Sequence, residues 1–493
     1  MARGRETHMD PAMKDRVRHI HFVGVGGAGM CGIAEVFHNL GYTVTGSDIA
    51  RGVAVRRLEQ LGVKVCIGHA AQNAQGADAL VFSSAVKEGN PEIAWARENG
   101  VPTIPRAMML AELMRFQAGI AVAGTHGKTT TTSLVASVLA AANFDPTFVI
   151  GGKLNASGSN ARLGKGKYIV AEADESDASF LCLTPLFSIV TNIDEDHMDT
   201  YGHSRENLEG AFVDFIHRLP FYGKAFLCVD SPMVRAILPK LGKPCATYSV
   251  RDPEADLFAD RIEAKGAQMR FLARVKSREL SFGVTLNIPG LHNVANALAA
   301  IGVAMECGCT IQAIQDGLRG FEGVGRRFQR YGDLPLPDGG AAAVVDDYGH
   351  HPNEMRATIA AARAAFPGRR LVLAFQPHRF TRTRDLFDDF VDVLSTVDQT
   401  VLVDVYPAGE SPIDGADSAA LARALGQKGA PAIYAGDVAD APGKLYAALR
   451  DGDVAITMGA GSVGRVPSAL FSLARLPDGV APEGALGGDR EAA

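Results

Sequence analysis

Twice in this chain an apolar strand runs straight into a glycine-rich turn and out into a helical stretch, at residues 19–40 and again at residues 120–142. Strands that alternate with helices pair most readily as parallel neighbours, so the pattern calls for parallel sheets covered by helices. The recurrence continues along the chain. After His19–Val23 and a helix over Ala28–Leu40, short strands are expected at Tyr42–Thr45, Val63–Ile67, Ala79–Phe82 and Pro102–Ile104. A second block opens at Ile120–Ala123, with a helix over Thr131–Ala142 and strands at Tyr168–Glu172, Phe187–Thr191 and Ala225–Val229. The alternating stretch Gln268–Ile288 reads as antiparallel. A third block opens at Ala341–Asp346, with strands at Leu371–Phe375, Thr400–Asp404 and Val454–Met458.

A length of 493 residues suits three domains at ~150 residues each. The recurrence divides them as 13–118, 119–325 and 326–475. Residues 1–12, charged and irregular, and 476–493, rich in Gly, Ala, Pro and charge, are expected to be flexible tails. Met13 opens a more natural N-terminus. The fold class is α/β throughout.

At 47% hydrophobic residues, each domain can bury a core. Lys plus Arg number 49 against 55 Asp plus Glu, a net charge of −6 that argues against nonspecific nucleic-acid binding. No apolar run reaches the ~18 residues of a membrane span, and the N-terminus has no signal-peptide core. The seven cysteines are scattered, and Cys307 and Cys309 lack a second zinc half-site. They read as reduced thiols of a cytoplasmic protein.

Gly24-Val25-Gly26-Gly27-Ala28-Gly29 fits G-x-G-x-x-G between a strand and a helix, and Asp48 ends the second strand where a ribose-binding acid is expected. Backbone N–H groups and a helix N-terminus there favour a diphosphate, from a dinucleotide or any other nucleotide diphosphate.

Gly124-Thr125-His126-Gly127-Lys128-Thr129-Thr130 carries the end of a phosphate-binding loop, although its first glycine stands three residues before Gly127 rather than five. Lys128 is placed to reach the β- and γ-phosphates and Thr129 to hold Mg²⁺ through its hydroxyl. Two acidic clusters, Glu172–Asp177 and Asn192–His197, follow apolar strands, where oxygen-rich Mg²⁺ ligands are expected.

GTHGKTTTT, EADESD, TNIDEDHMDTYG, GLHNVANALAA, GVGRRF, DDYGHHP and QPHRFTRTRDLF occur in this order. Together they resemble the Mur ligase family from about Val17 to Leu473. The stretch HFVGVGGAGMCGIAEVFHNLGYTVTGSD resembles the member that takes L-alanine. The resemblance implies three domains: a Rossmann-like N-terminal domain for a UDP-sugar, a central P-loop ATPase-type α/β domain, and a Rossmann-like C-terminal domain. It also implies ATP-dependent, ADP-forming ligation of L-alanine to the lactyl carboxylate of UDP-N-acetylmuramate. That reaction runs through an acyl phosphate, needs Mg²⁺, and serves peptidoglycan precursor synthesis.

Carried over residue by residue, Gly124, Thr125, His126, Gly127, Lys128, Thr129 and Thr130 bind ATP, and Thr129, Glu172 and His197 bind metal. His292, Asn293 and Asn296 contact the nucleotide, and Arg326 or Arg327 stabilises its phosphates or the hinge. Asp347 lies on the ATP side of the DDYGHHP cluster. Tyr348, His378 and Arg379 receive the amino acid, with Arg379 and Arg382 at the acyl-phosphate end. Gly24, Gly26, Gly27, Ala28 and Gly29 become a UDP diphosphate site, with Asp48, His69 and Ser84 as further UDP-side residues.

The chemistry asks for such groups independently. Bringing a carboxylate to a γ-phosphate requires cations to cancel like charge, and the attacking amine must lose a proton. His350, His351 or no side chain at all could take it. The competing readings are a recycling ligase that attaches a murein tripeptide, a nicotinamide-dependent oxidoreductase resting on the first glycine motif, and a noncatalytic nucleotide-binding regulator. A monomer or weak dimer is expected.

Overall fold

A computed structural model describes residues 11–83, 85–87, 89–155 and 159–475. The expected tails at 1–12 and 476–493 fall outside these residues, except that a short helix Pro11–Arg16 begins inside the first of them. The chain forms two compact units: the first comprises residues up to Glu263 with Arg270–Asn287 and His292–Glu322, the second Ala264–Met269, Ile288–Leu291 and Gly323 onward.

The first unit holds two sheets. In the N-terminal sheet, β1 (His19–Val23), β2 (Thr43–Asp48), β3 (Lys64–Ile67), β4 (Ala79–Phe82) and β5 (Thr103–Pro105) lie in the order β3-β2-β1-β4-β5. All of the pairings are parallel. The order reverses between β1 and β4, so a crevice opens at the carboxyl end of β1, where Gly24 begins. Ile20, Phe22 and Val23 are fully buried, and so is His21 between them, so β1 is covered on both faces.

The second sheet is built on β6 (Ala118–Ala123), followed by β7 (Thr147–Leu154), β8 (Ser159–Arg162), β9 (Tyr168–Glu172), β10 (Phe187–Val190), β11 (Lys224–Cys228), β12 (Cys245–Ser249), β13 (Leu257–Lys265), β14 (Gln268–Val275) and β15 (Leu280–Leu286). Their order is β15-β14-β13-β12-β11-β10-β6-β9-β7-β8. Buried β6 sits between β9 and β10, parallel to both. β14 and β15 alternate buried and outward residues, and the turns around them are too short for parallel crossovers, as the sequence pattern called for. The helix after β6 spans Lys128–Ala141, starting three residues earlier than expected because Gly127, at φ +83°, ends the loop.

In the second unit, β16 (Gln329–Pro335), β17 (Ala341–Asp347), β18 (Leu371–Phe375), β19 (Gln399–Val403), β20 (Ala432–Gly436) and β21 (Val454–Met458) take the order β16-β17-β21-β18-β19-β20. β16 runs antiparallel at the edge and the remaining pairings are parallel. Each face of this sheet carries its own apolar cluster, one around Phe375 and Phe390, the other around Val372 and Val401.

Candidate active site

At the carboxyl end of β1, the amides of Gly24 and Val25 donate to Ser47 O at 2.8 and 3.0 Å, which ties the glycine turn to β2. Asp48 braces the same turn. Its Oδ2 accepts from Gly26 N at 2.7 Å and its Oδ1 from Ala50 N at 3.2 Å. A Cβ on Gly26 would sit 2.8 Å from that Oδ2, so only glycine lets the acid approach. Ala28 opens the helix Ala28–Asn39. Ser84 lies outside the described residues.

His69 leads to a network that sequence reasoning missed. Its Nδ1 stands 3.1 Å from Ser47 Oγ and 3.2 Å from Glu92 Oε2. Glu92 is fully buried and accepts from Ser47 Oγ, Asn73 Nδ2 and Ala70 N. Burial pushes its carboxyl up, but His21 at 3.8 Å, Ser47 and Asn73 outweigh that and hold it at about 2. Glu92 follows a helix-capping Asn90 and Pro91, so by sequence it passes for an ordinary first-turn acid.

In the second sheet the phosphate loop is clamped by the segment after β10. Thr191 Oγ1 and Asn192 Nδ2 donate to His126 O at 2.6 and 2.9 Å, and His126 N donates to Asn192 Oδ1 at 2.8 Å. Thr125 Oγ1 accepts from Asp194 N at 2.9 Å. Gly124, at φ +126°, has no room for a side chain: a Cβ there would fall onto Thr191 Oγ1 and within 2.9 Å of Asn192 O. Asn293 and Asn296 are buried on the helix Leu291–Glu306 and bonded to each other. A Cβ on Gly127 would lie 2.9 Å from Asn296 Oδ1, so this motif does meet the phosphate loop. His292, one turn earlier, is exposed.

Lys128 Nζ donates to Gly124 O at 2.7 Å and to both oxygens of Glu175 at 3.0 and 2.7 Å. Burial opposes its charge, but Glu175, Asp174 and Glu172 more than offset this and raise its pKa. Glu175 is itself pushed up, first by burial and also by Asp174, with Lys128 opposing. One ammonium thus faces three carboxyl groups, a surplus of negative charge that suits a divalent cation. Glu172 Oε1 accepts from Gly151 N at 2.7 Å, which fixes that carboxylate at the end of β9. His197 takes φ +55° and lies 3.6 Å from Asp196. The Glu172 carboxylate and the Thr129 hydroxyl are oxygen donors of the kind Mg²⁺ takes, and the His197 imidazole is a less common one.

In the second unit, several expected ATP-side groups are already engaged. Arg326 Nε donates to fully buried Asp346 at 2.9 Å and Nη2 to Gly459 O at 2.6 Å, while its guanidinium lies 5.2 Å from the Tyr348 ring centroid. Arg327 lies 5.1 Å from the same centroid and 3.7 Å from Glu354. Asp347 accepts from Phe328 N and Gly349 N, both at 2.8 Å, and burial raises its pKa.

The two histidines of DDYGHHP differ. His351 caps the helix Pro352–Ala365, in a capping box with Glu354. His350 packs edge-on to Tyr348 and beside His378, which stacks on Tyr406 at 5.4 Å and 10°. Burial, with help from Arg382 and His378 and against Glu354, lowers the His350 pKa to about 3. Buried Arg382 donates to His378 O at 3.4 Å. Arg379 caps the helix Phe380–Asp385 at φ +72°. Tyr406 is a further residue of this cluster without a motif of its own in the sequence.

The catalytic-domain model of the Mur ligase family matches residues 19–118, the family's middle-domain model residues 122–304, and its glutamate ligase domain model residues 326–461. The chain is 66% identical over 467 residues to the UDP-N-acetylmuramate–L-alanine ligase of Neisseria gonorrhoeae, covering 94% of this chain and 99% of that protein. It is 61% identical to the ligase of the same name from Chromobacterium violaceum, covering 94% and 100%. Among solved structures, the UDP-N-acetylmuramate–alanine ligase of Thermotoga maritima matches with a TM-score of 0.78 at 28% identity, covering 92% of this chain and 98% of that one. A murein peptide ligase from Psychrobacter arcticus matches with a TM-score of 0.68 at 26% identity, over 92% and 98%. With three family models that together match most of the chain and a relative 66% identical over 94% of it, the chain belongs to the Mur ligase family.

Proposed function

We propose that this protein joins L-alanine to the lactyl carboxylate of UDP-N-acetylmuramate with cleavage of ATP to ADP and phosphate. The observation that carries this reading is 61–66% identity to proteins named for that reaction, over 94% of the chain. The tripeptide-attaching alternative has weaker support, a TM-score of 0.68 against 0.78.

In this reading the Gly24–Gly29 turn binds the UDP diphosphate, and loop 124–130 cradles the phosphates of ATP. Lys128 leaves Glu175 for the γ-phosphate and neutralises charge as the carboxylate oxygen attacks phosphorus and ADP departs. Thr129, Glu172 and His197 would hold Mg²⁺, which would supply further charge neutralisation at the phosphates. Tyr348, His350, His378 and Arg379 receive L-alanine, and Arg382 stands at the acyl-phosphate end. The amine nitrogen then attacks the acyl carbon, the C–O bond to phosphate breaks, and the proton shed by the nitrogen passes to the departing phosphate or to solvent as the amide forms. His350, neutral at physiological pH, accepts a hydrogen bond from the amine and orients it; a pKa of about 3 makes it a weak base.

ATP and a UDP-sugar as substrates support a cytoplasmic location for the reaction; no helix among the described residues is long and apolar enough to cross a membrane. The test is phosphate release with ATP, Mg²⁺ and UDP-N-acetylmuramate, with L-alanine, the tripeptide or no acceptor. Release that depends on L-alanine supports the reading, and release only with the tripeptide overturns it.

A further inference from the structure

The glycine turn that receives the diphosphate carries no cation of its own: Gly24–Gly29 contains only Gly, Val and Ala. It does carry an anion, since Asp48 occupies the Gly26 amide. A helix N-terminus offers about half a positive charge. A diphosphate brings about two negative ones, so a built site needs a cation within reach.

One stands there. Arg106 is the first residue of the helix Arg106–Phe116, immediately after edge strand β5. Its side chain folds over the first turn of the helix Ala28–Asn39, so closely that a Cβ on Gly29 would lie 2.8 Å from Nη1 and 3.2 Å from Cδ. Nη2 reaches the other way, to Asp174 Oδ2 at 3.3 Å, in the acidic cluster that also faces Lys128. The side chain is 21% exposed. A single long hydrogen bond to Asp174 uses one of the five guanidinium N–H donors, and the remaining edge faces the glycine turn.

We infer that Arg106 is a substrate-binding residue for the diphosphate of the UDP-sugar, held across the glycine turn by Asp174. This rests on the function proposed above and adds to it the charge that the turn lacks. Gly29 is then required as the floor on which the guanidinium lies. Because the same side chain touches Asp174, the arginine also joins the UDP-sugar site to the phosphate-transfer site through one rigid fork. The alternative is that Arg106 and Asp174 form a plain structural ion pair within the first unit.

Equilibrium binding of UDP-N-acetylmuramate, UDP, UMP and ATP to Arg106→Gln, Arg106→Lys and Asp174→Asn separates the two. Loss of a charged hydrogen-bond pair predicts that Arg106→Gln weakens UDP-N-acetylmuramate and UDP by about 10- to 100-fold. UMP should lose distinctly less, and ATP measured alone should change by less than about threefold. Arg106→Lys keeps the charge and recovers part of the loss, and it serves as the test variant should the glutamine protein fail to fold. Asp174→Asn breaks the ion pair that holds the side chain but leaves the arginine's charge, so UDP affinity should fall by distinctly less than in Arg106→Gln. Unchanged UDP binding in Arg106→Gln, or equal losses for UDP and ATP, would overturn the inference in favour of the structural pair. Failure of the wild-type protein to bind UDP-N-acetylmuramate at all would instead sink the function on which it rests.

Discussion

Lys128 and Glu175 form a two-pronged ion pair, with Nζ 3.0 and 2.7 Å from the two carboxylate oxygens and the Glu175 side chain 3% exposed. The lysine expected to meet ATP is thus held by a buried acid. Removing one member of such a pair strands the other. Lys128→Met should therefore cost about 3 kcal/mol at pH 8. The cost should shrink as pH falls, because the raised pKa of Glu175 lets it take a proton. Adding Glu175→Gln should recover stability but not activity, with turnover still down by at least about 10²–10³-fold. Denaturant titrations and phosphate-release rates on the single and double variants check this. Restored turnover in the double variant would show Lys128 to be structural only.

The phosphate loop depends on a backbone conformation that L-residues resist. Gly124→Ala places a methyl group against Thr191 and Asn192 at φ +126° and should displace the loop. Calorimetry should find ATP affinity down by more than about tenfold, with UDP-sugar binding retained. Wild-type ATP affinity in this variant would mean that the clamp from Thr191 and Asn192 is not needed.

Arg326 holds the second unit together more than it addresses a ligand. Arg326→Ala leaves Asp346 fully buried with, among the described residues, Thr457 Oγ1 still donating to its side chain. The expected loss is about 3–5 kcal/mol in the unfolding transition of that unit, visible by urea titration followed by circular dichroism. Arg326→Lys should recover only part, since an ammonium cannot serve Asp346 and Gly459 O in the same fork geometry. A loss below about 1 kcal/mol would contradict this account.

His350 gives the second unit a pH dependence of known sign. Its folded pKa, about 3, lies below the unfolded value of about 6.5. The unfolded chain therefore binds the proton first as pH falls. The stabilisation is complete above about pH 6.5 and is lost progressively down to about pH 3. Wild-type protein should lose about 1 kcal/mol more per pH unit between pH 6 and 5 than His350→Asn. Equal slopes in the two proteins would show that the half-buried imidazole takes up its proton without resistance.

Burial explains which elements the sequence disclosed. Strands expected at His19–Val23, Ala79–Phe82, Tyr168–Glu172, Leu371–Phe375 and Val454–Met458 have those bounds in the structure. Each is a short apolar run buried on both faces and bounded by turn residues. β7 was not foreseen, because Gly151 and Gly152 interrupt its pattern. Nor was edge strand β16, where exposed Arg330, Asp333 and Pro335 mask the pairing. In the site, glycine positions were legible because backbone demands are written in residue type. Tertiary partners were not. Nothing local marks Glu92 as buried among His21, Ser47 and Asn73, Tyr406 as the stacking partner of His378, or Arg106 as lying on Gly29.

The measurement that tests the central claim most directly follows an oxygen atom. UDP-N-acetylmuramate labelled with ¹⁸O in its lactyl carboxylate is incubated with ATP, Mg²⁺ and L-alanine, and the products are weighed by mass spectrometry. Ligation through an acyl phosphate transfers one labelled oxygen to the released phosphate and leaves the other in the new amide of a UDP-sugar heavier by one alanyl residue. Unlabelled phosphate, or phosphate released without that product, would contradict the account.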